Sequence, residues 1–307
     1  MSLRKIPLSK IGEFGLIDQI SRLIKADNAQ VIKGIGDDAA VLKIPQGDKY
    51  QLLTTDMLAE GVHFKRSMGA GLIGRKALAC SLSDLAAMGG IPKTAVVSLA
   101  VPPRLNVDFV QDMYKGIQAL AKQFHVNIVG GDMIAYKEII INVALLGEVE
   151  KEYCVLRSGA REGDRIFVSG ALGKSLQSGK HLSFIPRIEE VQFLVKNFKP
   201  TAMLDISDGL AGDLCHITNS SKVGAQLYLE LIPRVPGATM ENALYDGEDF
   251  ELLFTLSQKN AYRLARFNNQ PFRFICIGEI VGKKNGIKLI DRRGKIKSFK
   301  TKAFTHF

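Results

Sequence analysis

Residues 34–42 read GIGDDAAVL, in which a glycine turn precedes two adjacent carboxylates and an apolar run. Glycine allows the backbone to approach a ligand closely. Successive side chains of an extended strand point to opposite faces, so Asp37 and Asp38 need not compete for one ion. An ordinary Gly-Asp turn explains this stretch better when it is considered alone. Its interpretation therefore depends on the other acidic stretches of the chain.

Three further stretches repeat the arrangement of an apolar run that ends in a carboxylate. They end at Asp56, at Asp132, and at Asp205 with Asp208. In an α/β protein, carboxylates at strand ends collect at one rim of the sheet, where ligands bind. They stay ionised together only if cations lie among them, and oxygen-only ligands suit Mg²⁺. The pattern predicts a magnesium–phosphate site, and four unrelated turns capped by Asp are the alternative.

Composition limits the class of protein and its partners. The 307 residues are 46% hydrophobic and 23% charged, which is typical of about two globular domains. The net charge of +10 could attract nucleic acid or a polyanionic small substrate. The basic residues are scattered, and the chain has no Trp for base stacking. We therefore expect a solvated basic surface and no nucleic-acid partner.

The cysteines and the apolar runs indicate the compartment. Cys80, Cys154, Cys215 and Cys276 lie far apart, so the spacing of a zinc finger is absent. Isolated cysteines are typical of reduced thiols in a cytosol. The most apolar run, residues 139–146, is too short to span a membrane. We expect a cytoplasmic protein without a membrane partner.

Hydrophobic periodicity predicts an α/β fold of two domains, residues 1–150 and 151–307. Apolar spacing predicts helices over residues 13–25, 74–88 and 107–124. The pattern restarts after residue 150, where a polar turn precedes another strand. Asp84 lies inside an apolar helix, where burial is costly unless the carboxylate has a partner. A metal ion or a capping role would explain it.

Several stretches of the chain, taken in order, resemble thiamine-monophosphate kinase. They are GDDAAVL at 36–42, TTDML at 54–58, EGVHF at 60–64, LSDLAAMG at 82–89, GGD at 130–132, RSGA at 157–160, ISDGL at 206–210 and GEDFEL at 247–252. This family belongs to the aminoimidazole ribonucleotide synthetase superfamily, whose members bind ATP between two α/β domains. The resemblance implies an N-terminal domain that binds ATP and Mg²⁺ and pairs its sheet in a homodimer. The C-terminal domain would complete the active-site cleft.

The resemblance also implies roles for individual residues. Those that resemble magnesium ligands are Asp37, Thr54, Thr55, Asp56, Asp84, Asp132, Asp205 and Asp208. Those that resemble ATP contacts are Tyr114, Gly131, Arg157 and Ser207. Those that resemble contacts to thiamine monophosphate are His63, Glu248 and Phe304, the last within a terminal aromatic-x-His-Phe pattern.

The implied reaction converts ATP and thiamine monophosphate into ADP and thiamine diphosphate by direct in-line transfer. The acceptor is an ionised phosphate oxygen, so the reaction needs neither a strong base nor a covalent nucleophile. Several Mg²⁺ ions would reduce the repulsion between the two polyanions. The alternatives are another ATP-using enzyme of this superfamily with a different acceptor, and a non-catalytic protein that binds nucleotide or RNA.

Overall fold

The computed structural model describes residues 7–24, 26–267 and 272–297, which form two β-sheets and their covering helices. The helices are α1 Leu8–Leu23, α2 Ala70–Ala87, α3 Val107–Gln123, α4 Ser175–Ser178, α5 Lys180–Ser183, α6 Ile188–Asn197, α7 Leu210–Ser221, α8 Met240–Tyr245 and α9 Gln258–Ala265. The strands are β1 Val31–Lys33, β2 Ala40–Lys43, β3 Lys49–Ala59, β4 Ile91–Val101, β5 Asn127–Ala135, β6 Ile140–Glu150, β7 Arg165–Val168, β8 Ala202–Asp205, β9 Gly224–Tyr228, β10 Leu252–Leu256, β11 Ile275–Val281, β12 Ile287–Ile290 and β13 Ile296–Lys297.

The first sheet has the order β1-β2-β3-β6-β4-β5, and only the β4–β5 pair is parallel. Its central strand β3 alternates between two faces, as a strand with one buried face should. Leu52, Thr54 and Leu58 are buried, whereas Leu53 and Met57 are exposed. Helices α2 and α3 pack on the buried side of the sheet. In the part of the chain that the structure describes, the other face of the sheet carries exposed side chains such as Leu53 and Met57.

Two glycines allow α2 and α3 to pack backbone against backbone. A Cβ atom at Gly74 would lie 2.0 Å from the carbonyl oxygen of Met113. A Cβ atom at Gly116 would lie 1.9 Å from the carbonyl oxygen of Gly71. No side chain fits at such distances, so this close crossing requires glycine on both helices. The result is an α2 that is buried along most of its length.

The second sheet has the order β13-β12-β9-β11-β7-β10-β8, and only the β12–β9 pair is parallel. Helix α2 contacts β3 and β6 of the first sheet and also α5, α6 and β8 of the second half. It therefore lies between the two halves and carries side chains towards both. The domain division at residue 150 stays a prediction, with the two sheets on either side of it.

The predicted helices are close to those observed, whereas the predicted strand ends differ. Helix α1 begins five residues before the expected start, and Gly12 interrupts it with a φ of 69°. Asp56 lies within β3 and Asp132 lies within β5, so the expectation that each follows a strand is wrong. The reason is that the pairing of these strands continues past both residues. In the described ranges, no helix combines the length and apolar character that crossing a membrane requires.

Candidate active site

Three carboxylates from distant parts of the chain meet between the two sheets. Asp38 lies in the loop before β2, Asp84 lies on α2, and Asp205 ends β8. Their carboxylate oxygens lie within 4.8 Å of one another. Helix α2 brings them together because it packs against both β3 and β8. The acidic cluster therefore forms only when the two halves of the chain are docked.

Hydroxyl groups hold the carboxylates of this region in place. Each of three hydroxyls donates a hydrogen bond to one carboxylate oxygen. The pairs are Thr54 Oγ1 to Asp84 Oδ2 at 2.7 Å, Ser83 Oγ to Asp205 Oδ2 at 2.5 Å, and Ser81 Oγ to Asp56 Oδ2 at 2.8 Å. One oxygen of each carboxylate is thereby fixed, which orients the other. Asp56 faces inwards from β3 and joins the same acidic region.

Arg157 contacts both carboxylates of the opening motif. Its Nη2 donates to Asp38 Oδ1 at 2.6 Å, and its backbone nitrogen donates to Asp37 Oδ1 at 3.0 Å. Lys33 Nζ lies 3.5 Å from Asp37 Oδ2. Asp37 Oδ2 therefore faces a cationic side chain, whereas Asp38 Oδ2 is buried and accepts no hydrogen bond from the residues that the structure describes. A buried acceptor without a donor is expected where a cation binds.

The electrostatics of the cluster also favour a cation. Burial, followed by the charge of Asp56, raises the pKa of Asp84 well above its usual value. Burial and the charge of Asp38 raise the pKa of Asp205 to about 7. Carboxylates that share a site without enough positive charge behave in this way. All the candidate ligand atoms are oxygens, so the donor set fits Mg²⁺.

A cavity of about 300 Å³ adjoins the acidic cluster. Its lining includes predicted metal ligands and both described residues that were predicted to contact the acceptor. These residues are Thr55, Asp56, His63, Asp84, Ser207, Asp208 and Glu248. The structure therefore brings metal-binding and acceptor-binding candidates to one cavity. Phe304 lies outside the described residues.

The two acceptor candidates are held by local hydrogen bonds. His63 Nδ1 accepts from the backbone nitrogen of Ala59 at 3.0 Å, which orients the ring after β3. Glu248 has a φ of 63°, which is unusual for a residue with a Cβ atom. Its backbone nitrogen donates to the carbonyl oxygen of Ser207 at 2.7 Å. Backbone strain of this kind often accompanies a functional site.

The remaining predicted residues lie beside the edge strand β5. Tyr114, Gly131 and Asp132 line a second cavity of about 430 Å³. A Cβ atom at Gly131 would lie 1.8 Å from the carbonyl oxygen of Val97, so only glycine fits there. The second cavity therefore groups two predicted ATP contacts with one predicted metal ligand.

The sheet separates Asp132 from the acidic cluster. Gly131 is in the same row across the sheet as Asp56, so Asp132 points to the opposite face. Three strand spacings, from β3 to β5, also separate Asp56 and Asp132 by about 14 Å. Thr55 shares that exposed face, where its Oγ1 accepts from Asn142 Nδ2 at 2.9 Å.

Three buried polar residues lie beside the site although the sequence analysis did not single them out. Asp213 is buried, and its Oδ2 accepts from the backbone nitrogen of Asp208 at 3.1 Å. Burial and then Asp208 raise the pKa of Asp213 well above its usual value. His181 and Lys76 are buried next to Glu248. The sequence feature that could have drawn attention to Lys76 is that it is the single lysine among the apolar residues of α2.

Two family models match the two halves of the chain, each of which contains one of the sheets. The family model described as "AIR synthase related protein, N-terminal domain" matches residues 36–149. The model described as "AIR synthase related protein, C-terminal domain" matches residues 161–288. The first match covers most of the first sheet, and the second match covers most of the second sheet.

Curated relatives and a solved structure narrow this class. The chain is 34% identical to the thiamine-monophosphate kinase of Buchnera aphidicola over 97% of this chain and 99% of the relative. It is 39% identical to that of Rhodopirellula baltica over 83% and 85%. A solved structure of AaThiL complexed with AMPPCP and TMP is 34% identical, covers 99% of this chain and 100% of its own, and has a TM-score of 0.85. The chain belongs to the thiamine-monophosphate kinase family. This confirms the predicted family, the two-part fold and the phosphotransferase class.

Proposed function

We propose that this chain transfers the γ-phosphoryl group of ATP to thiamine monophosphate and releases ADP and thiamine diphosphate. The observation that carries the proposal is the cavity where acidic residues meet His63 and Glu248. The 34%-identical structure that holds AMPPCP and TMP supports both substrates. The proposal keeps phosphoryl transfer direct, without a covalent intermediate on the protein.

On the nucleotide side, we infer contacts from Tyr114, Gly131, Arg157 and Ser207. Gly131 suits this role because its backbone is exposed in the second cavity without a side chain. Arg157 is already paired with Asp38, so its proposed contact to ATP would share the guanidinium with that carboxylate. Ser207 lies at the first cavity, next to Asp208.

We infer that several Mg²⁺ ions bind the carboxylates. The proposed ligands within the cleft are Asp37, Thr54, Asp56, Asp84, Asp205 and Asp208. Bound Mg²⁺ would neutralise phosphate charge and so reduce the repulsion between the two substrates. The contribution of the chain is to hold the carboxylates in place, which Ser81, Ser83 and Thr54 do through their hydroxyl groups.

On the acceptor side, His63, Glu248 and Phe304 are the proposed contacts to thiamine monophosphate. A phosphate oxygen of this substrate is ionised at neutral pH, so the protein needs to orient it rather than deprotonate it. Orientation of bound reactants supplies a large part of the barrier reduction in such transfers. The fixed positions of His63 and Glu248 at the cavity wall support this role.

We also propose a homodimer formed through the exposed face of the first sheet, in a cytoplasmic protein. That face carries large apolar side chains, which usually mark an interaction surface. Among them are Leu53, Met57, Val96 and Ile134. Asp132 lies on the same face, so its proposed role as a metal ligand depends on the same dimer, whereas Thr55 also lines the first cavity.

A coupled ADP-release assay tests the proposed reaction. The purified chain is assayed with ATP, Mg²⁺ and either thiamine monophosphate, free thiamine or aminoimidazole ribonucleotide precursors. We expect ADP release with thiamine monophosphate and its loss in EDTA. Turnover only with another acceptor would transfer the proposal to another reaction of the superfamily. Filter binding of RNA in EDTA, without any ADP release, would instead favour the RNA-binding alternative.

A further inference from the structure

A buried lysine stands behind the acceptor cavity. Lys76 lies on α2 and has no exposed surface. Its Nζ atom lies 2.8 Å from the carbonyl oxygen of His63, 3.0 Å from His181 Nδ1 and 2.6 Å from Glu248 Oε1. An ammonium group has three N–H donors, and here each has an acceptor. The side chain is therefore fixed rather than free to turn towards a ligand.

The three acceptors of Lys76 come from three separate segments. His63 lies in the turn after β3, His181 lies on α5, and Glu248 lies in the loop before β10. Of these residues, His63 and Glu248 line the 300 Å³ cavity. One ammonium group thus connects the cavity wall of the first half to the wall of the second half.

The pairing matters most for Glu248, whose backbone is strained at a φ of 63°. A buried carboxylate is stable only with a partner, and Lys76 is the closest cation. Burial alone would raise the pKa of Glu248, but the neighbouring His181 and Lys76 together lower it. Glu248 Oε2 is buried and lies 3.2 Å from His181 Nδ1, so both carboxylate oxygens of Glu248 face a partner side chain.

We propose that Lys76 is a positioning residue for the acceptor. It fixes the Glu248 carboxylate through Oε1, and it fixes the turn that carries His63 through the carbonyl oxygen of that residue. Both anchored residues line the cavity, so Lys76 sets the orientation in which they meet the substrate. The inference rests on the proposed function, because it concerns the binding of thiamine monophosphate.

Steady-state kinetics of five variants test this role. The variants are Lys76→Met, Lys76→Arg, Glu248→Gln, the double variant Lys76→Met with Glu248→Gln, and the control Arg165→Met, whose ion pair with Glu279 lies outside the cavity lining. We expect Lys76→Met to raise the KM for thiamine monophosphate about tenfold and to leave the KM for ATP within about twofold. Lys76→Arg should restore part of the loss, and the control should change neither KM.

The double variant identifies the path of the effect. If Lys76 acts through Glu248, the double variant binds thiamine monophosphate no worse than the weaker single variant. It also leaves no unpaired buried charge, so it remains informative if Lys76→Met fails to fold. Equal rises in both KM values, additive losses in the double variant, or an unchanged KM for thiamine monophosphate would each overturn the proposal. Absence of wild-type turnover with thiamine monophosphate would instead overturn the proposed function.

Discussion

Replacing Asp205 by Asn is expected to stabilise the metal-free protein. It should also reduce the gain in stability that Mg²⁺ gives. Asp205 is buried, accepts a hydrogen bond from Ser83 Oγ and lies in the acidic cluster with Asp38 and Asp84. Without a cation, its ionised form is repelled by the neighbouring carboxylates. An Asn keeps an oxygen that can accept from Ser83 but carries no charge.

The magnitude follows from the pKa of this carboxyl. Burial and then Asp38 raise the pKa of Asp205 from 3.8 to about 7, a change of about three units. At about 1.4 kcal/mol per unit, ionised Asp205 costs the folded state about 4 kcal/mol. A raised carboxyl pKa means that the folded state holds the proton longer. The cost is therefore absent below pH 4, accumulates between about pH 4 and 7, and is constant above pH 7.

The assay is thermal or denaturant unfolding in EDTA and in Mg²⁺, at pH 5 and at pH 8. The Asn variant should gain about 3 kcal/mol more at pH 8 than at pH 5 in EDTA, because two of the three pKa units accumulate between these values. In Mg²⁺ the wild type should recover more stability than the variant. A variant that is less stable than wild type in EDTA at pH 8, or a gain independent of pH, would refute the reasoning.

Three further predictions concern the metal ions, the nucleotide and the dimer. The variants Asp56→Asn and Asp132→Asn should each lower turnover in the ADP assay by about two orders of magnitude. Circular dichroism should show that the fold is intact. Near wild-type turnover of both variants would contradict the metal cluster. Gly131→Ala should raise the KM for ATP more than that for thiamine monophosphate, because its Cβ atom would collide with the Val97 carbonyl. Leu53→Glu should yield monomers in light scattering where the wild type is dimeric, because Leu53 lies on the exposed face of the first sheet. A monomeric wild type would remove the dimer.

The sequence identified candidate site residues and two of the long helices, but it did not predict how those residues meet. Periodicity placed α2 and α3 to within a few residues, because their apolar spacing is long and regular. The carboxylates were expected at one rim of a sheet, as in parallel α/β folds. The sheets are mainly antiparallel, and Asp84 and Asp205 reach the site from a helix and from the second sheet. Contacts between distant segments leave no local pattern in one sequence.

Buried polar partners were the other feature that one sequence could not provide. Lys76 reads as a charged residue on a helix, and charged residues are usually exposed. Its burial depends on the packing of α2 against α5 and on the loop that carries Glu248, more than 170 positions away. Asp213 similarly reads as a favourable acidic residue in the first turn of α7, where the helix dipole explains it. Only the folded chain shows that it also binds the backbone of Asp208.

The location of the cluster links metal binding to the docking of the two halves. Asp38 and Asp84 belong to the first half of the chain, and Asp205 belongs to the second. When the halves dock, the oxygens of these like charges come within 4.8 Å of one another, which opposes docking unless cations are present. The Lys76–Glu248 ion pair acts in the opposite sense, because it attracts the same two halves at the acceptor cavity. Under the proposed function, Mg²⁺ bound with the nucleotide would reduce this repulsion, so metal binding would favour the docked arrangement of the two halves.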